Sequence, residues 1–323
     1  MLARKPLFHT LAYVLLALLP LAFGQLSHFV ADVMTGVAIF VILAVSADLV
    51  VGLTGLITLG HGAFFAIGAY SSAILCTRYG LPPVLALLMG LAVSTLVSWV
   101  VGRAVLHLKG YYLAMATLGL TAVMVTLLMG ARSITGGAAG MGGIPRFSIA
   151  SYQFVDTHAY YLLVLALAVL VVAAAKKLAG SAYGRALIAI HGDEQTATTL
   201  GIDTARYKVS VFVLSCVLAS LAGSLFAHHL RFIAPDDFTI SQSIHILVMA
   251  FLGGIGSIYG AAMGAITLQA LPELVHELRD YELLGTGQIL IIVLALFPRG
   301  LYGLVVQIGR KLGLVKSTAE VSQ

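Results

Sequence analysis

The sequence predicts an all-α, polytopic membrane protein with about ten transmembrane helices. Of its 323 residues, 60% are hydrophobic and only 10% are charged, whereas soluble domains carry about 25% charged residues. Apolar runs near 20 residues long, the length that crosses about 30 Å of hydrocarbon, recur along the chain. Lys and Arg fall mainly in alternate connections between these runs. We therefore expect one transmembrane domain over residues 1–323 and no soluble domain.

Ten spans can be drawn, some of them broken or re-entrant. They cover approximately residues 7–24, 30–51, 55–76, 83–101, 111–130, 159–175, 209–227, 241–255, 260–276 and 283–297. The first run follows two basic residues as a signal peptide would, but its length and the lack of an A-x-A site predict that it is retained. The eighth and ninth spans are short and separated only by glycines, which favours a break between them.

The basic residues predict the orientation. With the N-terminus inside, thirteen Lys and Arg residues lie in inner segments and five in outer segments, which satisfies the positive-inside rule. Both termini and the tail 305–323 are then cytoplasmic, the loop 131–158 is outside, and the segment 176–208 is inside. The net charge of +5 is thus a signal of membrane topology, and no nucleic-acid partner is expected. We expect a multi-pass protein of a bacterial inner membrane.

The stretch Gly52–Tyr70 differs from an ordinary lipid-facing helix. It holds five glycines, two threonines and His61 among apolar residues. Glycine weakens a helix and lets backbones approach closely, and loosened backbone is tolerated in a membrane only where protein or water covers it. Intramembrane titratable groups usually face a bundle interior or a pathway. The stretch therefore predicts a pathway lining, although His61 fits equally well as a side chain satisfied by a neighbouring helix carbonyl.

The chain lacks the motifs of a motor or an enzyme. There is no G-x-x-x-x-G-K-[ST] phosphate loop, no H-E-x-x-H or G-x-S-x-G motif and no metal-ligand spacing of Cys and His. Cys76 and Cys216 are expected to be small buried hydrophobes. Asp32 and Asp48 share one span but lie about 24 Å apart along it, so we interpret them as caps or ion-pair partners. Any uphill transport would draw its energy from another chain.

Five stretches, in order, resemble motifs of the branched-chain amino acid ABC transporter permease family, and of its LivM-type subunit more than its LivH-type. They are GHGAFFAIGAY at 60–70, LKGYYLAMATLG at 108–119, TGGAAGMGGIP at 135–145, LGGIGSIYGAAMGA at 252–265 and FPRGLYGL at 297–304. In the fourth stretch, Gly256, Gly260 and Gly264 predict close helix packing.

The resemblance implies a permease with the fold of a type II ABC importer. Its partners would be two cytoplasmic ATPases that hold ATP and Mg²⁺, a second, LivH-type permease and an extracytoplasmic substrate-binding protein. The chain itself would be non-catalytic, carry no cofactor or metal, and contact lipid and a small-molecule substrate. Alternatives are the same machinery importing urea, short amides or aromatic acids, an ion-coupled carrier, and a membrane enzyme that uses the outer histidines.

The resemblance also assigns residues to the inner segment. Glu194, Ala197 and Gly201 match the loose E-x-x-A-x-x-x-G pattern of ABC importers, and a short helix there can transmit ATPase closure as a rigid-body push. With Arg185 and Asp193 they form the predicted coupling set. The alternative is a solvated basic loop that only fixes topology.

A zwitterionic substrate needs donors for its carboxylate and carbonyls for its ammonium, and broken helices near the midplane supply both. The predicted pathway residues are Thr54, Gly55, Thr58, His61, Thr117 and Gln242, the last two being the weaker candidates. Asp236 and Asp237 are predicted to meet basic residues of the docked binding protein.

Five histidines map near the outer ends of spans: His158, His228, His229, His245 and His276. They could form a pH-sensitive or metal-binding patch beside Asp236 and Asp237, or fill the membrane interface; because their spacing follows no ligand pattern, no metal ligand is assigned among them.

Overall fold

The computed structural model describes residues 28–108, 110–149, 152–274 and 300–303. The predicted first span 7–24, tenth span 283–297 and tail 305–323 lie outside these residues. Within the described part, every long element is an α-helix, as the sequence predicts.

The helices, in chain order, are α1 His28–Thr54, α2 His61–Tyr79, α3 Pro83–Val105, α4 Tyr111–Gly130, α5 Arg132–Thr135, α6 Thr157–Ala179, α7 Ala182–Gly192, α8 Glu194–Thr199, α9 Thr204–Leu230, α10 Ile240–Gly253 and α11 Ile258–Leu274. Two 3₁₀ turns cover Gly137–Ala139 and Pro235–Phe238, and four two-residue strands are β1 Met141–Gly142, β2 Ser148–Ile149, β3 Tyr152–Gln153 and β4 Phe232–Ile233. Five of the described helices, α1, α3, α4, α6 and α9, are long and apolar enough to cross a membrane.

Two predicted spans differ from the observed helices in an informative way. The span expected from residue 55 begins as a helix only at His61. The eighth and ninth spans are α10 and α11, which meet at an angle of 119° and so confirm the predicted break. The predicted close packing of Gly260 and Gly264 is also present, because a Cβ at Gly264 would lie 1.9 Å from the Met249 carbonyl oxygen of α10.

The bundle is built around α1. This helix is apolar over its whole circumference and nearly all of it is buried, since α6, α9, α10 and α11 pack around it. By contrast α3, α4 and α6 bury only a minority of their residues. Large apolar side chains such as Leu96, Leu127 and Leu170 are left exposed on them, which gives the bundle the apolar outer surface expected of a membrane protein.

A close contact joins α2 to α9 through two glycines. A Cβ on Gly68 would lie 1.9 Å from the carbonyl oxygen of Ser220, and one on Gly223 would lie 2.0 Å from that of Phe65. Real side chains cannot occupy these positions. Small residues at such crossings let backbones approach in membrane bundles, where van der Waals packing drives helix association.

The two ends of the bundle carry different structures. At one end, here called the strand end, β1 pairs antiparallel with β4 through Met141 and Ile233, and β2 pairs with β3. At the opposite end, residues 180–203 form a projection made of α7 and α8, here called the arm. The strand end therefore holds the predicted outer loop and the arm end holds the predicted inner segment.

The α2–α9 contact predicts the effect of a single methyl group. Gly68→Ala should destabilise the protein by about 1–3 kcal/mol or more, because the added Cβ collides with main-chain atoms. Gly119→Ala is the matched control, because a Cβ added at this position of α4 would have no neighbouring atom within 4 Å. Thermal unfolding in detergent should show a lowered midpoint for the first variant only. Equal unfolding midpoints in the two variants would mean that α2 and α9 move apart to accept the new Cβ without loss of stability, and would contradict the prediction.

Candidate functional site

The helix break between α1 and α2 is the centre of the candidate site. α1 ends at Thr54, where the amide of Gly55 still donates to the Val51 carbonyl at 2.9 Å. Gly55 then turns the chain with a φ of +69°, a conformation that side-chain-bearing residues rarely adopt. Residues 55–60 form no helix or strand before α2 begins.

The break segment, residues 55–60, has one open face and one closed face. Gly55 and Ile57 are exposed, the latter by 44%, whereas Leu56 and Thr58 are buried. This alternation is typical of extended chain, in which successive side chains point to opposite sides. The hydroxyl oxygen of Thr58 is buried and has no hydrogen-bond partner among the described residues.

Hydroxyl side chains from two other helices hold the far end of the break segment. The amide of Leu59 donates to Thr117 Oγ1 at 2.9 Å, and Thr121 Oγ1 donates to the Leu59 carbonyl at 3.0 Å. The amide of Gly62, in the first turn of α2, donates to Ser243 Oγ at 3.0 Å. These bonds satisfy main-chain groups that have no partner within a helix, as a low-dielectric interior requires.

His61 anchors the start of α2 inside the bundle. Its ring is 3% exposed, and Nε2 lies 2.8 Å from Ser215 Oγ. Ser215 donates to the Ser46 carbonyl at 2.6 Å, so its oxygen is left to accept from the imidazole. Ser215 lies about 17 Å along the 40 Å length of α9. The positive end of the α2 dipole therefore lies within the bundle, and His61 has the satisfied environment of the alternative interpretation.

The bend between α10 and α11 is held by a carboxylate of α1. Asp48 is 1% exposed, and its Oδ1 accepts from the amide of Gly256 at 2.8 Å. Gly256 has a φ of +77°. The other aspartate of this helix, Asp32, lies 3.8 Å from His229. Asp48 thus accepts a hydrogen bond from the main chain at the bend, and Asp32 lies within ion-pair distance of His229.

The arm carries the predicted coupling residues on a short exposed helix. Asp193 caps α8 by accepting from the amides of Gln195 and Thr196 at 2.8 and 3.2 Å. Ala197 is buried against the rest of the chain, and Leu200 after the helix is 75% exposed. Gly201 leaves the helix with a φ of +84°, which explains the glycine in the E-x-x-A-x-x-x-G pattern.

Two contacts join the arm to the bundle, and a third, from Arg185, lies within the arm. Glu194 forms an ion pair with Lys208, whose side chain is 5% exposed. Arg185 donates to the Gly180 carbonyl at 3.1 Å. His191 Nδ1 lies 3.3 Å from the Gly52 carbonyl, and its ring closes on Gly55, where a Cβ would lie 2.7 Å from the ring. The arm therefore contacts the entrance of the break directly.

A groove lies beside the arm. Its cavity volume is about 990 Å³, and it separates the end of α3 from the start of α9. Charged and aromatic side chains line it, among them Trp99, Arg103, Glu194, Arg206 and Lys208. Arg103 lies over the Trp99 ring at 4.5 Å, a cation–π contact.

The two predicted docking aspartates have different environments at the strand end. Asp236 is exposed, so its carboxylate is accessible to another protein. Asp237 is half-buried, and its Oδ2 accepts from the Ala234 amide at 2.8 Å. Burial raises the pKa of the Asp237 carboxyl, the Ala234 hydrogen bond opposes this, and the charge of Asp236 adds to it. Asp237 shapes the turn, whereas Asp236 faces outward.

The predicted pathway residues thus fall at two levels. Thr58, His61 and Thr117 meet around the break segment, and the half-buried Gln242 is adjacent to Ser243. Thr54 and Gly55 lie nearer the arm, beside His191. Sequence reasoning missed the hydroxyls of Thr121, Ser215 and Ser243 and the ring of His191. Nothing in the sequence separates these hydroxyls from others that bond to their own helix, such as Thr126.

Comparison with known proteins identifies the family. Residues 29–296 match the model of the branched-chain amino acid transport system permease component. The chain belongs to this family. The high-affinity branched-chain amino acid transport system permease protein LivM of Salmonella typhimurium is 33% identical over 89% of the chain and 74% of its own length, and that of Escherichia coli K12 gives the same values.

A second branch of the family is more distant. The LivH permease protein of Salmonella typhimurium is 26% identical over 86% of this chain and 97% of its own length. The predicted resemblance to the LivM type is therefore confirmed. No solved structure matches the chain. As a family member, the chain is a multi-pass permease component, and the break and the arm are features of a transport protein.

The contacts of His61 predict a structural role for its ring. His61→Ala and Ser215→Ala should each lower stability by about 1–3 kcal/mol by leaving buried polar groups unpaired. The double variant should lose less stability than the sum of the losses in the two single variants, because the two residues share one hydrogen bond. Thermal unfolding of the two single variants and the double variant measures these losses, and Thr126→Val, which removes an exposed hydroxyl, is the control. Unchanged stability in His61→Ala, together with a raised KM for uptake, would instead make His61 a substrate ligand.

Proposed function

We propose that this chain forms half of the translocation pathway of an ATP-driven importer of branched-chain or similar small amino acids. The observation that carries the proposal is the break segment, which interrupts an otherwise helical bundle and leaves one face open. Irregular backbone at membrane depth is tolerated where it lines a cavity or is covered by protein. In transporters such broken helices form substrate sites.

The chemistry of the break suits a zwitterion. The positive end of α2 would attract a carboxylate, and carbonyls of the break segment, in which Gly55 and Ile57 are exposed residues, would accept from an ammonium group. The hydroxyl of Thr58, the residue after the exposed Ile57, has no hydrogen-bond partner among the described residues. Apolar neighbours suit an aliphatic side chain. A site of so few groups is weak, which fits a system in which a separate extracytoplasmic protein captures the substrate.

The open face of the break requires a second wall. A second permease of the LivH type would supply it and would cover the exposed apolar side chains of neighbouring helices. The binding protein would dock at the strand end, where Asp236 offers an exposed negative charge for basic residues. The distribution of Lys and Arg supports an orientation with the arm in the cytoplasm and the strand end outside a bacterial inner membrane.

The arm is the proposed contact for two ATPase subunits, which would hold ATP and Mg²⁺, so this chain needs no catalytic group or cofactor. An ATPase that pressed on Leu200 and α8 would move the arm as a rigid body. His191 would carry this displacement to Gly52 and Gly55, because its ring contacts both. The coupling route is therefore arm, His191 and break, in that order.

Reconstitution tests the proposal. The chain is purified with a LivH-type permease, ATPase subunits and a substrate-binding protein as candidate partners and placed in liposomes. We expect uptake of leucine, isoleucine or valine that requires ATP and the binding protein. Urea, acetamide and phenylalanine serve as competing substrates, and preferred uptake of one of them would reassign the substrate. Uptake by this chain alone, driven by a proton gradient without ATP, would overturn the proposal.

The ion pair of the arm gives a sharper prediction. Glu194→Lys should leave Lys208 buried and unpaired, at a cost of about 3–5 kcal/mol, and should uncouple ATP hydrolysis from uptake. The exchange Glu194→Lys with Lys208→Glu should recover much of the uptake, because it restores an ion pair. Lys177→Glu, which reverses an exposed charge at the end of α6, is the control for the effect of charge alone. Normal coupling of ATP hydrolysis to uptake in Glu194→Lys would contradict the proposal that the arm is the contact for the ATPase.

A further inference from the structure

Three side chains meet at the strand end, far from both the break and the arm. His28 is the first residue of α1, Asp156 caps α6 and His158 lies in the first turn of α6. One ligand atom from each lies within 4.8 Å of the other two. The rings of the two histidines are 5.1 Å apart, at 42° to each other. His28 and Asp156 are exposed and His158 is half-buried, so the cluster is open to solvent.

Two imidazole nitrogens and one carboxylate oxygen are the donor set of many zinc sites with three protein ligands. Ligand atoms bound tetrahedrally at about 2.0–2.1 Å lie roughly 3.3–3.5 Å apart, so these three must converge by about an ångström or slightly more. Rotation of exposed side chains can achieve this without moving the backbone. By the Irving–Williams order the same donors also accept copper and nickel, whereas Mg²⁺ and Ca²⁺ prefer oxygen ligands.

The surroundings orient the ligands. Asp156 Oδ1 accepts from the His158 amide at 3.2 Å, which fixes the carboxylate at the start of α6 and leaves Oδ2 available. The positive end of α6 lies at this point and disfavours a cation. Asp156 offsets this charge. A second carboxylate, Asp32, lies one turn after His28 on α1, 3.8 Å from His229.

We propose that His28, Asp156 and His158 bind a divalent transition metal of the zinc type, with a fourth position open to water. A bound ion would join the first turn of α1 to the first turn of α6 on the outer side of the membrane. The central helix of the bundle would then be fastened at its outer end. The site is independent of the amino acid pathway and of the arm, and its test needs no transport assay.

Zinc titration of the purified chain in detergent is the first test. The protein is prepared with an affinity tag that contains no histidine, and heat is measured by isothermal calorimetry. We expect one zinc ion per chain. His28→Ala and His158→Ala should each weaken binding by more than about 100-fold, since even outer-shell changes cost 10–100-fold in metal affinity. His107→Ala, an exposed histidine at the arm end, is the matched control and should bind as the unmodified chain does.

Cobalt supplies a second measurement that reports geometry. Co²⁺ in a site with two imidazoles and a carboxylate should give a visible absorption band that zinc removes, and Asp156→Asn should weaken it. Size-exclusion profiles of all variants check that they remain folded. No heat with the unmodified chain would overturn the proposal. Undiminished binding in the His28→Ala, His158→Ala double variant would do the same, and so would an equal loss in His107→Ala.

Discussion

Main-chain polar groups must find partners in an interior without water, and this constraint organises the bundle. Six residues between α1 and α2 leave the helix, and each of their unpaired amides or carbonyls would cost several kcal/mol in hydrocarbon. Thr117 and Thr121 of α4 pair with the amide and the carbonyl of Leu59, and Ser243 of α10 pairs with the amide of Gly62 in the first turn of α2. These helices therefore have to converge on the first turn of α2. His61, tied to Ser215, fixes the same turn against α9.

The second interruption follows the same rule with a charge in place of hydroxyls. At the bend between α10 and α11, the Gly256 amide finds Asp48 of α1. A Cβ on Gly52 of α1 would lie 2.6 Å from Gly256, so the bend closes directly onto the central helix. His191 of the arm contacts the Gly52 carbonyl. The break, the bend and the arm consequently meet around the last turns of α1. A displacement of the arm would therefore be transmitted both to the break segment and to the bend between α10 and α11.

The helices, the bend and the arm could be predicted because local pattern decides them. The apolar runs, the glycines after Leu252 and the E-x-x-A-x-x-x-G pattern each act within a few residues. The start of α2 could not be predicted, because GLITLG at 55–60 is apolar enough to continue a helix and only distant hydroxyls decide that it does not. The role of His61 depends on Ser215, 154 residues away. The His28 and His158 cluster likewise joins residues of two helices that are far apart in the sequence.

The strengths of these contacts indicate which parts can move. Each neutral hydrogen bond around the break contributes only about 0.5–1.5 kcal/mol net, and its hydroxyl can rotate to another partner. The α2–α9 crossing at Gly68 and Gly223 is different, because its main-chain atoms are already in contact and close-packed interfaces transmit force without deforming. Under the proposed coupling, a push on the arm would therefore leave α2 and α9 as a rigid pair and change the break instead. This difference in stiffness would let the proposed weak substrate site open and close while the bundle remains folded.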